Sequence, residues 1–123
     1  MSNATLSLAV KAPEGTDAQV LLLGGELDIA TTPTVRSAID AAIASGSKRI
    51  IVDLTGLNFI DSTGLGVLIG GLRRSRENGG RVVLVATEGR ILRLLRVTGL
   101  VRIFQVFESL DAAIADGESL AAS

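Results

Sequence analysis

The sequence predicts an α/β fold: a single domain with a mainly parallel five-stranded sheet, one antiparallel edge strand and about four helices. Three observations predict it. Short continuous apolar runs over residues 20–23, 50–52 and 82–85 are typical of strands covered on both faces. Stripes of apolar residues at helical spacing lie between those runs. After an opening pair of strands the elements alternate strand and helix, which requires crossovers and therefore parallel pairing.

Taken in order, Leu6, Leu8 and Val10 alternate with Thr5, Ser7 and Lys11, the pattern of a half-buried edge strand. Pro13-Glu14-Gly15 supplies a turn, and a second strand over residues 19–24 is close enough to form a hairpin with the first. Thr32 as N-cap and Pro33 at the first helical position open a helix. Its stripe is Val35, Ala38, Ile39, Ala42 and Ile43, and Gly46 stops it. A third strand ends at Asp53 and Leu54, with residues 55–60 read as a connecting loop. From Ser62 a second helix carries Leu65, Leu68, Ile69 and Leu72 on one face. Arg73, Arg74 and Arg76 suit its C-terminus, and Gly79-Gly80 ends it. A fourth strand covers residues 82–85. Ile91, Leu94 and Leu95 mark a short helix ended by Gly99, and a fifth strand is expected over residues 103–106. Ser109 caps a last helix running to about Ala115, with Asp111 in its first turn. The core is expected over about residues 5–115, with a loose tail over residues 118–123.

Composition narrows the chemistry. The chain has 123 residues, 47% of them hydrophobic, enough to bury roughly two thirds of its surface as one domain. It contains no cysteine and no histidine, so disulfides, thiolate catalysis and the commonest general base are excluded. Three phenylalanines are its only aromatic residues, too few for a base-stacking platform. No metal site, cofactor or enzyme activity is expected. No apolar stretch reaches the roughly 18 residues that a membrane span needs. The N-terminus lacks a signal-peptide pattern, and a cytoplasmic protein is expected. Charge is unevenly placed: residues 1–61 hold four cations and seven anions, residues 62–123 eight and six. Arg90, Arg93 and Arg96, spaced by three, read as a solvated helix face, with no nucleic-acid motif beside them.

The most informative segment is Phe59-Ile60-Asp61-Ser62-Thr63-Gly64-Leu65-Gly66. Asp61, Ser62 and Thr63 are all competent helix caps where one suffices. The helix then carries Gly64, Gly66, Gly70 and Gly71, each less favourable than alanine by up to about 1 kcal/mol. Glycines in that number imply close approach, to the sheet beneath or to a partner above. A serine at a helix start also tolerates phosphorylation, because free backbone N–H groups and the positive end of the helix dipole meet the phosphate there. The modification adds roughly −1.5 to −2 charge beside Asp61 and Asp28, which repels an acidic partner. That is the chemistry of a binding switch.

These residues carry a resemblance. Gly25-Glu26-Leu27-Asp28, Ile51-Val52-Asp53-Leu54, the segment over 59–66 and Val97-Thr98-Gly99-Leu100 together resemble the anti-sigma-factor antagonists of the STAS-domain family. The resemblance implies a single STAS domain that is not an enzyme. It implies binding to an anti-sigma factor that is also a serine kinase, with release of a sigma factor and so regulation of transcription by partner switching. It implies phosphorylation at Ser62, reversal by a PP2C-type phosphatase, and a partner-binding surface of Asp28, Asp61, Ser62, Thr63, Gly64 and Gly66. No direct nucleic-acid or membrane partner is implied. The alternative within the fold is a docking subunit of a signalling or lipid-transport complex. Asp53 sits where a receiver domain keeps its phospho-acceptor, but the companion acidic pair and late lysine are missing. It reads instead as a strand-end residue bonded to the loop at Thr55.

Overall fold

The apolar runs become the middle of the sheet. In this computed structural model, which describes the backbone of residues 5–122 and the side chains of residues 5–116, five strands lie in chain order. They are β1 (Leu6–Lys11), β2 (Ala18–Leu27), β3 (Arg49–Ile60), β4 (Arg81–Val85) and β5 (Val106–Phe107). β1 pairs antiparallel with β2, and the remaining pairings are parallel, as the sequence predicts. The helices are α1 (Thr32–Ala44), α2 (Ser62–Glu77), α3 (Arg90–Val97) and α4 (Leu110–Ala122), with a 3-10 turn at Leu100–Arg102.

Alternation along the strands sorts the core into two layers. Leu21, Leu23, Ile50, Val52 and Leu84 meet Ile39, Leu68, Leu72 and Leu95 from α1, α2 and α3. Val20, Ile51, Val83 and Val85 meet Ala113, Leu110 and Ile114 of α4 on the other face. Each fully buried side chain of this size contributes about 1.5–3 kcal/mol. The second layer is thin, and a buried cation reinforces it. Arg49 is 5% exposed, and its guanidinium donates to the carbonyls of Ala113 (2.7 Å) and Ile114 (3.2 Å).

Four expectations change. Residues 55–60 are not a loop but the second half of β3, paired with an extension of β2 to Leu27. The buried residues there are Leu54, Leu57 and Ile60, spaced by three, because the pairing shifts register between Leu22 and Gly24 and again between Gly25 and Glu26. That spacing hides the strand from a search for alternation. The N-cap of α1 is Thr31, one residue earlier than expected, because Asp28 and Thr31 already close the turn. β5 is Val106–Phe107, not residues 103–106: Phe104 is buried in the helical layer and Ile103 is exposed. α4 extends to Ala122 rather than ending near Ala115. The tail expected over residues 118–123 lies outside the residues whose side chains are described.

Candidate functional site

The parallel pair β2 and β3 ends at two adjacent turns, and the candidate residues sit on them. In the first, Gly25 has φ of +87°, and a Cβ there would lie 2.3 Å from the carbonyl oxygen of Thr5. Glycine alone fits both constraints. Leu27 is fully buried. The Asp28 carboxylate then accepts from the N–H groups of Ala30 (2.9 Å) and Thr31 (3.1 Å). The Thr31 hydroxyl donates to the Glu26 carbonyl and accepts from the Asp28 N–H, each at 2.9 Å. Asp28 therefore folds the turn that leads into α1 and is half-buried in doing so.

The second turn begins α2. The Asp61 N–H donates to the Leu27 carbonyl at 3.1 Å, tying the two turns together. Asp61 is the N-cap: its Oδ1 accepts from the Gly64 N–H (2.9 Å) and from the Thr63 hydroxyl (2.5 Å). The Thr63 hydroxyl, then the Gly64 N–H, hold the Asp61 carboxyl below its ordinary value, with a smaller contribution from the Ile29 N–H reaching across from the first turn. Asp61 is consequently a firm negative charge.

Ser62 occupies the first position of α2 and is exposed. Among the described residues no hydrogen bond engages its hydroxyl, whereas the neighbouring Thr63 hydroxyl is committed to Asp61. The positive end of the α2 dipole at this first turn favours an anion on Ser62, while the Gly64 N–H is already taken by Asp61.

The glycines divide by role. Gly66 is exposed, with nothing within 4 Å of where its Cβ would stand. Together with Thr63 and Gly70 it lies along a groove between α1 and α2, flanked by Arg36 and Arg74. Asp40 bridges those two arginines, at 2.8 Å from Arg74 and 3.6 Å from Arg36. Gly64, expected at the partner surface, is buried instead. A Cβ on it would stand 2.8 Å from Ile60 Cγ1 and 2.9 Å from both Leu27 Cγ and the Leu27 carbonyl oxygen. It lets α2 approach the sheet. Gly71 instead lets α2 approach α1, where a Cβ would meet Ile39.

Asp28, Asp61, Ser62 and Thr63 thus come together on adjoining turns, with Gly66 one helical turn along. Sequence reasoning missed two apolar neighbours, Ile29 (73% exposed) and Phe59 (44% exposed), which flank Asp28 and Asp61 along the chain. The signal available was a large apolar side chain beside each acidic turn residue. Asp53 accepts from the N–H (2.9 Å) and hydroxyl (2.7 Å) of Thr55, the bond expected of it, but it lies within β3 and not at a strand end, because the strand continues to Ile60. Among the described residues no cluster of acidic side chains has metal-binding geometry, and no helix is long and apolar enough to cross a membrane.

Comparison with known proteins bears on this arrangement. The STAS domain family model matches residues 9–113. The chain is 32% identical over 101 residues to the anti-sigma-B factor antagonist of Listeria monocytogenes, spanning 82% of this chain and 88% of that protein. It superposes on an anti-sigma factor antagonist from Mycobacterium paratuberculosis with a TM-score of 0.85 and 26% identity, over 95% of this chain and 97% of the other. It superposes also on the Bacillus cell fate determinant SpoIIAA in the phosphorylated form, with a TM-score of 0.69 and 25% identity, over 89% and 98%.

Proposed function

Because this chain belongs to the STAS domain family, we propose that it is an anti-sigma factor antagonist, a regulatory binding protein and not an enzyme, switched off by phosphorylation of Ser62. In this reading it docks on an anti-sigma factor in the cytoplasm and frees a sigma factor. The anti-sigma factor, acting as an ATP-dependent serine kinase, phosphorylates Ser62, and the modified protein is released. A PP2C-type phosphatase restores the binding form.

One observation carries the reading. Ser62 presents an exposed, unengaged hydroxyl at the first position of α2, while the neighbouring Thr63 hydroxyl is held by Asp61. Two hydroxyls stand side by side, and only one is free for transfer. The helix start favours a phosphate there, by about 0.3–1 kcal/mol for a charge near an exposed terminus, so the fold survives modification. The partner feels the opposite effect. Roughly −1.5 to −2 charge arrives next to Asp61, itself held in its charged form, and an acidic surface closing over it is repelled. Asp28 and Asp61 set the shape of the two turns, and Asp61 directly precedes the serine; Thr63 and Gly66 extend the same surface along α2.

The test is site mapping. The purified chain is mixed with the anti-sigma factor and MgATP, and the phosphate is located by tandem mass spectrometry. Phosphate on Ser62 is expected, absent from Ser62→Ala and still present on Thr63→Ala. Phosphate on another residue, or incorporation without the kinase, overturns the reading.

A further inference from the structure

The surface beyond Ser62 is not uniform. Among the described residues six large apolar side chains are left exposed, and four of them (Phe59, Val97, Val101 and Ile103) lie at the end of β3, at the end of α3 and in the turn that follows it. Phe59 and Val97 belong to one open groove between the end of β3 and α3, with Ile91 and Leu94 beside them and Arg90 and Arg93 on its rim. Val97 is 79% exposed, a large unfavourable exposure for an isolated domain. Among the described residues the rim charges lack a close ion pair, although Arg93 acts at longer range on Glu88. Arg96 is tied to Glu88 at 2.8 Å, but among the described residues neither Arg90 nor Arg93 has an ion pair.

An apolar floor with unpaired guanidinium groups at its edge is the composition of a protein interface, where aromatic, aliphatic and arginine side chains concentrate the binding energy. Its occupant follows from charge and from place. Two rim arginines with no close ion pair among the described residues call for carboxylates. Phe59 is two residues from Asp61, so a partner that closes over Ser62 borders the groove. A phosphate beside Asp61 repels an acidic partner surface most strongly, in keeping with the carboxylates that the arginines call for.

We propose that this groove seats an apolar segment of the same anti-sigma factor, flanked by acidic residues that pair with Arg90 and Arg93. The inference rests on the function proposed above and adds to it a second anchor, distinct from the hydroxyl that switches it. Binding then has two parts: α3 supplies attraction and selects the partner, and the start of α2 supplies the veto.

The experiment uses the full chain and an anti-sigma factor already shown to bind it, so that a failure here is a failure of the groove alone. Affinity is measured by calorimetry for wild type, for the double variant Arg90→Glu/Arg93→Glu, and for Val97→Asp; these side chains are exposed, and circular dichroism checks that each variant is folded. Both variants should bind at least tenfold more weakly, and the charge-reversed pair should lose most of the wild-type sensitivity to salt. Kinase-dependent phosphate transfer to Ser62 at saturating partner should persist. Unchanged affinity in both variants overturns the proposal. So does wild-type, but not double-variant, binding to phosphatidylglycerol vesicles with no change in anti-sigma factor affinity, which would make the face a membrane contact. Self-association of the wild type abolished by Val97→Asp, again with anti-sigma factor affinity unchanged, assigns the groove to a second copy of this chain and overturns it equally.

Discussion

Gly64 and Gly66 stand two residues apart on the same helix, and the structure sets them to opposite tasks. Replacing Gly66 with alanine places a methyl group where nothing lies within 4 Å. The helix then gains up to about 1 kcal/mol of propensity. Replacing Gly64 gains a similar amount but drives the methyl to 2.8 Å from Ile60 Cγ1 and 2.9 Å from the Leu27 carbonyl oxygen. Ile60 can adjust; the carbonyl cannot easily, because it accepts from the Asp61 N–H at the helix start. Overpacking of this kind costs about 1–3 kcal/mol. Net, Gly64→Ala is destabilised by up to about 2 kcal/mol and Gly66→Ala stabilised by up to about 1 kcal/mol, a central spread of about 2 kcal/mol. Urea unfolding followed by circular dichroism reads the difference. With m near about 1.5 kcal/mol per molar, the two midpoints should differ by more than about 1 M. A Gly64→Ala midpoint equal to or above that of Gly66→Ala would show that α2 does not rest on β2 and β3 as described. The same pair separates folding from function. Gly66→Ala should weaken anti-sigma factor binding despite its greater stability, because its methyl enters the exposed groove.

Other expectations follow from the same geometry. The Asp61 carboxyl is held below its ordinary value of 3.8, so its contribution to stability is complete above that pH and is lost as pH falls through the lower folded value. The gap between the urea midpoints of wild type and Asp61→Asn should therefore be full at pH 6 and shrink as pH falls below 3.8; a constant gap would contradict the cap. Arg49→Met removes two charge-assisted donors from the carbonyls of Ala113 and Ile114 and should destabilise by about 2–3 kcal/mol. Hydrogen exchange in that variant should quicken over residues 110–116 before it quickens in β3, and uniform acceleration would refute the tether. Ser62→Asp should melt within a few degrees of wild type yet bind the anti-sigma factor poorly; an unfolded variant would end the idea of a charge the fold tolerates.

Much of the architecture was legible because continuous apolar runs such as those over residues 20–23 and 82–85 have few other uses in so short a chain. The second half of β3 was not, because Leu54, Leu57 and Ile60 follow two register shifts that only the neighbouring β2 reveals. β5 was misplaced because Ile103 and Phe104 look like a strand in sequence while packing decides otherwise. At the candidate site, the cap and the exposed serine were readable as local chemistry. The roles of the glycines were not: Gly64 and Gly66 are identical in sequence terms, and only the position of Leu27 beneath one of them distinguishes the two. The approach of the Ile29 N–H to Asp61 joins residues 32 positions apart and leaves no local trace.

The central claim is that one negative group on the Ser62 hydroxyl evicts the partner without altering the fold. The most direct measurement follows dissociation of the preformed complex after MgATP is added, with phosphate on Ser62 counted by intact mass at each time point. One phosphate should appear per complex lost, and Ser62→Ala should stay bound throughout. Release of Ser62→Ala at the wild-type rate, or a fully phosphorylated chain still in the complex, would contradict it.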